Sequence, residues 1–340
     1  MQRDAMTRRL MVGLTLAMAT LVVGGGKDSG DEFRDGVPYH EDVTLAVPGA
    51  TAQGALTAGD GTAAIRSTLL GARAETYTLT RAITGVVNTG TLAVLTLVRT
   101  ITDYPPSSVM GDTAVWGPYT EPLSPNTWRL TVNRVARGQF HYVLEAKAKL
   151  AADSGYVTVL SGNHVQATPG AHRRANLPAF GSGDFLLDWN AAHTLPEHDD
   201  NVGTAAFTYS RTSPTAEVNI AVTFTQVEDK DTGMLIDATY DYAATPGAGG
   251  SFDFKLVKDF VATTPALETA TVHSRWTETG AGRADLQLAA GDLGATTATS
   301  SECWDASFAS VYMTNSYGDA SKVWGAETSC AFPSAMYSAL

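Results

Sequence analysis

From Pro106 onward, apolar and polar side chains alternate in short runs rich in Thr, Val, Tyr and Phe, each closed by Gly, Pro, Asn or Asp. A period of two is that of a strand with one buried and one wet face. The pattern predicts strands over residues 127–135, 139–148, 156–160, 184–189, 204–210, 217–227, 236–242, 251–257, 269–277, 284–288 and 296–303. Spacings of about 10 to 16 residues leave no room for crossover helices, so neighbours are expected to pair antiparallel as hairpins. Ala136-Arg137-Gly138, Pro246 to Gly250 and Gly280-Ala281-Gly282 supply glycine turns. Alternation is cleanest where Phe252, Phe254 and Leu256 interleave with Ser251, Asp253 and Lys255. A sheet of this many strands cannot stay flat. The fold expected is therefore mainly β with an N-terminal helical segment: a large antiparallel meander sheet, curved or half-barrel.

Upstream the period changes. Between residues 63 and 104, Leu69, Tyr77, Ile83, Val86, Val87, Val94, Leu95, Val98 and Ile101 recur mainly at helical spacings, and Pro105-Pro106 ends the run. Two helices are expected, or one broken near Asn88 to Gly90, packing on the sheet. Residues 82–98 are uncharged but interrupted by Gly85, Asn88 and Gly90, and read as a core helix rather than a membrane span. Residues 26–62, rich in Gly, Asp, Thr and Ala, read as a flexible tether with little core and at most a short strand at 43–47.

At the N-terminus, Arg3, Arg8 and Arg9 precede an apolar run over residues 10–23, the layout of a signal peptide ending near Gly24 or Gly25. Residues 1–25 are assigned to it, which makes the chain exported, periplasmic or extracellular, with no transmembrane helix in the mature chain. Residues 105–340 form the β domain. Leu21-Val22-Val23-Gly24 resembles the front of a lipobox, yet the next residue is Gly25, which has no thiol to acylate. Lipid anchoring is therefore not expected at Gly25.

Composition supports a large core, with 44% apolar and 17% charged residues, and the net charge of -12 argues against nucleic acid as a partner. Weak aromatic girdles and charges on both faces argue against an outer-membrane barrel. The two cysteines, Cys303 and Cys330, are expected to form a disulfide in an oxidising compartment.

Candidate chemistry is sparse. The segment 193–200 places His193, Glu197, His198, Asp199 and Asp200 close together, a conceivable divalent-metal cluster, but Pro196 denies the two histidines a common helical face. Residues 228–233 resemble a calcium loop until Gly233 takes the third-ligand position, which leaves a charged hairpin turn. Asp184 and Asp188, or Asp237 and Asp241, share a strand face about 13 Å apart, too far for a glycosidase pair unless cross-strand partners lie closer. Arg275 and Arg283 flank the Gly280 to Gly282 turn, and Trp276, Trp304 and Trp324 come from nearby or disulfide-linked segments, as a surface for a carboxylate, sugar or aromatic group or as turn and core residues around the bridge. No nucleophile elbow, zinc-hydrolase helix, phosphate loop or dinucleotide fingerprint occurs, and no cofactor is expected.

Trp116-Gly117-Pro118, Ser274-Arg275-Trp276, Gly280 to Arg283, Gly291-Asp292, Glu302-Cys303-Trp304-Asp305, Trp324-Gly325 and Cys330-Ala331-Phe332 together resemble a family of uncharacterised bacterial lipoproteins, over roughly residues 77–332. The resemblance implies an envelope address and a disulfide, but no reaction. Two functions follow as expectations: non-enzymatic binding of an apolar or polymeric ligand (lipid, glycan or envelope protein) on a curved sheet, by fold-level analogy, or an exported metal-dependent hydrolase built on residues 193–200.

Overall fold

The computed structural model describes residues 30–38, 43–44, 46–49, 70–169, 180–229, 233–261, 263–316 and 322–340. The signal segment and Gly25, most of the expected tether, and residues 230–232 of the charged turn lie outside them.

Among the described residues, fifteen strands form one antiparallel sheet in which every strand neighbours those before and after it in sequence. They are β1 (Ser108–Met110), β2 (Thr113–Tyr119), β3 (Asn126–Ala136), β4 (Gln139–Ala148), β5 (Val157–Gln166), β6 (Gly181–Asp188), β7 (Thr204–Arg211) and β8 (Val218–Glu228). There follow β9 (Leu235–Thr245), β10 (Gly249–Lys258), β11 (Glu268–Thr277), β12 (Gly282–Ala290), β13 (Ala298–Trp304), β14 (Ser310–Asn315) and β15 (Lys322–Gly325). Among the described residues the sheet is not closed: the order runs from β1 to β15 without return. The mainly β meander read from alternation is the observed fold. Four strands, β1, β2, β14 and β15, lack a legible pattern because they are short or interrupted by Gly117-Pro118.

Alternation sorts the sheet into two faces. On the inner face Phe140, His164, Gly183, Tyr209, Ile220, Tyr242, Phe252, Ser274, Ala284 and Glu302 are successive cross-strand partners from β4 to β13. Two glycines make room for rings on this face: Tyr142 stands opposite Gly162 and Tyr209 opposite Gly183, and a Cβ on either glycine would meet the tyrosine hydroxyl at 2.6 Å. His164 is buried and its Nδ1 lies 2.7 Å from the Tyr209 hydroxyl. Burial lowers its pKa to about 4.

The inner face is covered by the chain's own N-terminal part. Helix α1 (Asp31–Arg34) sets Phe33 edge-on to Phe140, and helix α2 (Glu75–Thr102) buries Tyr77, Val87, Leu95 and Val98. One helix is found where a break was expected, running unbroken through Asn88, Thr89 and Gly90. An interior glycine costs only about 1 kcal/mol, which packing on a sheet readily outweighs. The abundant threonines are compatible with burial because the buried Thr80, Thr84 and Thr102 donate their hydroxyls to carbonyls one turn back.

Helix α2 also fixes the curvature. Thr76 bonds Glu302 on β13, Thr80 Oγ1 pairs with Ser274 Oγ on β11, and Trp116 Nε1 on β2 donates to Tyr104 O just past the other end. The helical path from Thr76 to Tyr104 is about 42 Å, whereas the sheet from β2 to β13 is about 53 Å wide along its surface. The helix is the chord and the sheet the arc.

The expected tether is corrected in part. Phe33, Val37, Val43 and Val47 are all buried in the core. Gln166 Nε2 donates to Asp35 O, the Tyr242 hydroxyl pairs with both the N–H and the carbonyl of Ala46, and the Tyr77 hydroxyl donates to Pro48 O. The described residues between 30 and 49 thus lie across the sheet from β4 to the start of α2, and none of them is in a strand.

Candidate functional site

The outer face carries the candidate chemistry. Asp241 on β9, Asp253 on β10, His273 on β11, Asp285 on β12 and Ser301 on β13 are consecutive cross-strand partners, one row of ionisable and hydroxyl groups across five strands. The geometry follows from the turns. Asp241 and Asp253 are equidistant in sequence from Gly247, and His273 and Asp285 from Thr279, so each hairpin folds its pair into register. Adjacent carboxylates at Asp241 and Asp253 are the closer cross-strand pairing that the spacing along one strand does not give.

Exposure falls along the row, from exposed Asp241 through half-buried Asp253 to buried His273 and Asp285. Partial burial, and after it the charge of Asp253, push the Asp241 carboxyl above its ordinary pKa. Asp253 in turn holds the imidazole of His273, Oδ1 to Nδ1 at 2.8 Å. At the exposed end a groove of about 470 Å³ is lined by Thr208, Ser210, Asn219, Asp241, Ser251 and Asp253, among others. Hydroxyls, an amide and two carboxylates share the lining with Tyr209, Ile220, Ala221, Tyr242 and Ala243.

At the buried end the row is roofed by residues 327–340. Arg275 and Arg283 are cross-strand partners, two cations side by side, and Asp285 lies between their guanidinium groups: Arg283 Nε donates to Oδ1 at 2.9 Å and Arg275 Nη2 to Oδ2 at 3.1 Å. Glu327 Oε1 accepts from Arg283 Nη1 at 2.8 Å, and Phe332 O and Ser334 O accept from Arg283 and Arg275. Met336 N–H donates to Asp285 Oδ2, and the Arg275 guanidinium lies 4.9 Å from the centre of the Phe332 ring. Cys303 and Cys330 are bonded, which ties this segment to β13.

Arg275, Arg283, Trp276 and Trp304 do not form one surface. Arg275 and Arg283 lie on the outer face. Trp276 and Trp304 lie on the inner face, where Trp276 packs on Tyr242, and Trp304 packs on Tyr77 and donates to Gly280 O. Successive residues of a strand face opposite ways, so Arg275-Trp276 could not have acted together.

The cluster at residues 193–200 is a surface loop after helix α3 (Trp189–Ala192). The rings of His193 and His198 lie 4.0 Å apart, His198 Nδ1 lies 2.8 Å from Asp199 O, Asp199 accepts from Asn201, and Glu197 accepts from Ser124 and, through its carbonyl, Asn126. Among the described residues no group of three or more His, Cys, Asp or Glu side chains is placed to hold a metal ion. The other acids weighed in sequence have structural partners: Asp184 accepts from Asn163, Asp188 caps α3 at Ala191 N, and Asp237 accepts from Gln226 N. Asp229 pairs with Lys258 and closes the β8–β9 turn through backbone bonds with Gly233 and Met234.

No family model, no curated protein and no solved structure matches this chain. No helix among the described residues is long and apolar enough to cross a membrane. What fold and site define together is an open, curved meander sheet wrapped on its own helix, with a polar row across its outer face.

Proposed function

We propose that the chain is an exported envelope protein that binds a polymeric, hydroxyl-rich ligand on the outer face of its sheet and performs no chemistry on it. The observation that carries this reading is the groove over β7 to β10, whose hydroxyl, amide and carboxylate lining offers both donors and acceptors to a glycan chain. The inner face is the weaker place for a ligand, because α1, α2 and the residues around Ala46 and Pro48 already cover it. Export is supported by the Arg3, Arg8, Arg9 and 10–23 pattern, by the cysteine pairing, and by the resemblance to envelope lipoproteins.

Titration calorimetry with soluble cell-wall glycan chains tests the reading. Binding is expected, weakened at least ten-fold in the Asp241→Asn, Asp253→Asn double variant with its circular dichroism unchanged. Glycan binding unaffected by that variant, or no glycan binding by the folded protein, overturns it.

A further inference from the structure

We propose that the outer-face cleft formed by Arg275, Arg283 and Asp285 is a binding site for an extended acidic peptide, occupied in the oxidised chain by its own residues 327–340 and opened by reduction of the Cys303–Cys330 disulfide. The site is distinct from the groove and does not depend on what the groove binds.

The first ground is how unequally the two sides of this contact are buried. Arg283 and Asp285 are wholly buried, yet most of the segment above them is exposed, Met336 at 53% and Tyr337 at 37%. Beyond one short turn at Glu327–Ser329 the segment has no regular structure. It covers the cleft without contributing a side chain to the apolar core.

The second ground is the chemistry of the contact. A carboxylate from Glu327 and the backbone carbonyls of Phe332 and Ser334 face the two guanidinium groups, and the Met336 N–H faces Asp285. One acidic side chain plus backbone donors and acceptors is how an extended peptide is recognised. The cleft is not filled to capacity: Arg283 Nη2 and Arg275 Nε are buried without a hydrogen-bond partner among the described residues. Two guanidinium groups against the one carboxylate of Asp285 leave a single positive charge in excess, which suits one acidic side chain of a ligand, and the spare donors suit further acceptors on it.

The third ground is the tether. With Cys330 bonded to Cys303, the segment is held at very high local concentration and excludes a competitor. A dithiol reductant breaks the S–S bond, delivering two electrons and two protons to leave two cysteine thiols, and itself closes to a disulfide. What then holds the segment is the Glu327 ion pair, a few hydrogen bonds and the Phe332 ring on Arg275, against the entropy of ordering more than ten residues.

The test uses the full chain, oxidised or reduced with dithiothreitol and alkylated. The probe is a labelled synthetic peptide of residues 326–340 carrying Cys330→Ser, with a second probe carrying Glu327→Gln as well. Saturable one-to-one binding to the reduced protein only, at least ten-fold weaker for the Glu327→Gln probe, is the expected result; the cis segment competes with both probes alike, so their ratio reads the carboxylate contact. Hydrogen exchange of the reduced chain should show at least ten-fold faster exchange at Met336, with β9 to β12 still protected. Persisting protection at Met336, loss of protection throughout β11 and β12, or failure of the released site to bind the first probe overturns the proposal. Glycan binding by the oxidised chain is measured separately, so failure here leaves the groove reading standing.

Discussion

Glu302 on β13 holds the first turn of α2, its Oε2 accepting from both the N–H and the hydroxyl of Thr76 at 2.8 Å. The helix has no side-chain cap of its own, since Ala74 occupies the N-cap position, so an inward-facing acid 226 residues away supplies one. Glu302→Ala is expected to lower unfolding free energy by about 2 to 3 kcal/mol, because a buried N–H and a buried hydroxyl lose their acceptor. Urea denaturation measures it, and Glu302→Gln, which keeps an acceptor, should lose less.

His164 makes stability depend on pH. Its folded pKa of about 4 lies below the ordinary 6.5, so the unfolded chain binds more protons across that interval and acid favours unfolding. The expected loss starts as pH falls through 6.5 and is complete below about 4, reaching about 3 kcal/mol for this group. Unfolding curves at pH 7 and pH 5 should show a smaller difference for His164→Gln than for the parent chain.

Gly162→Ala places a methyl 2.2 Å from Asp184 O and 2.6 Å from the Tyr142 hydroxyl. Neither the strand backbone nor the wholly buried Tyr142 ring can retreat, so a loss of about 2 kcal/mol or more is expected. Thermal unfolding checks it; Gly85→Ala, which meets nothing within 4 Å, is the control and should be neutral or stabilising.

Replacing His193 and His198 together with alanine is expected to change stability by less than about 0.5 kcal/mol, since both are exposed and their contacts stay within the loop. Melting temperature and elemental analysis of bound metal are the measurements. Stoichiometric zinc lost in the double variant would restore the hydrolase reading.

The strands from β3 to β13 were legible because alternation and glycine turns act within a dozen residues of each other. Phe33 and Val37 were not, since isolated apolar residues in a Gly- and Asp-rich stretch show no period, and Phe33 is buried by meeting Phe140, far away in sequence. Cys303 and Cys330 were legible from count alone. The polar row was missed although the means to find it were present: Asp241 with Asp253, and His273 with Asp285, are mirror positions about Gly247 and Thr279. Of the two readings of Arg275 and Trp276, a shared surface is ruled out by the pleat, which sends neighbours to opposite faces, while the buried Trp276 and Trp304 agree with the core alternative. The roof over Asp285 was beyond reach, because residues 327–340 have no regular structure to announce it.

The strand order also bears on how the molecule comes into being. Each strand pairs with the one made just before it, so as the chain emerges during synthesis the sheet can lengthen hairpin by hairpin without waiting for distant partners. Helix α2 is made before any strand of the sheet, yet the acid that caps it and the cysteine that fastens residues 327–340 sit side by side on β13, near the end of the route. Until Glu302 and Cys303 arrive, a long, threonine-rich helix waits with its first turn uncapped beside a growing sheet. Shortening the chain before β13 would therefore leave a sheet of sound hairpins with nothing to finish it.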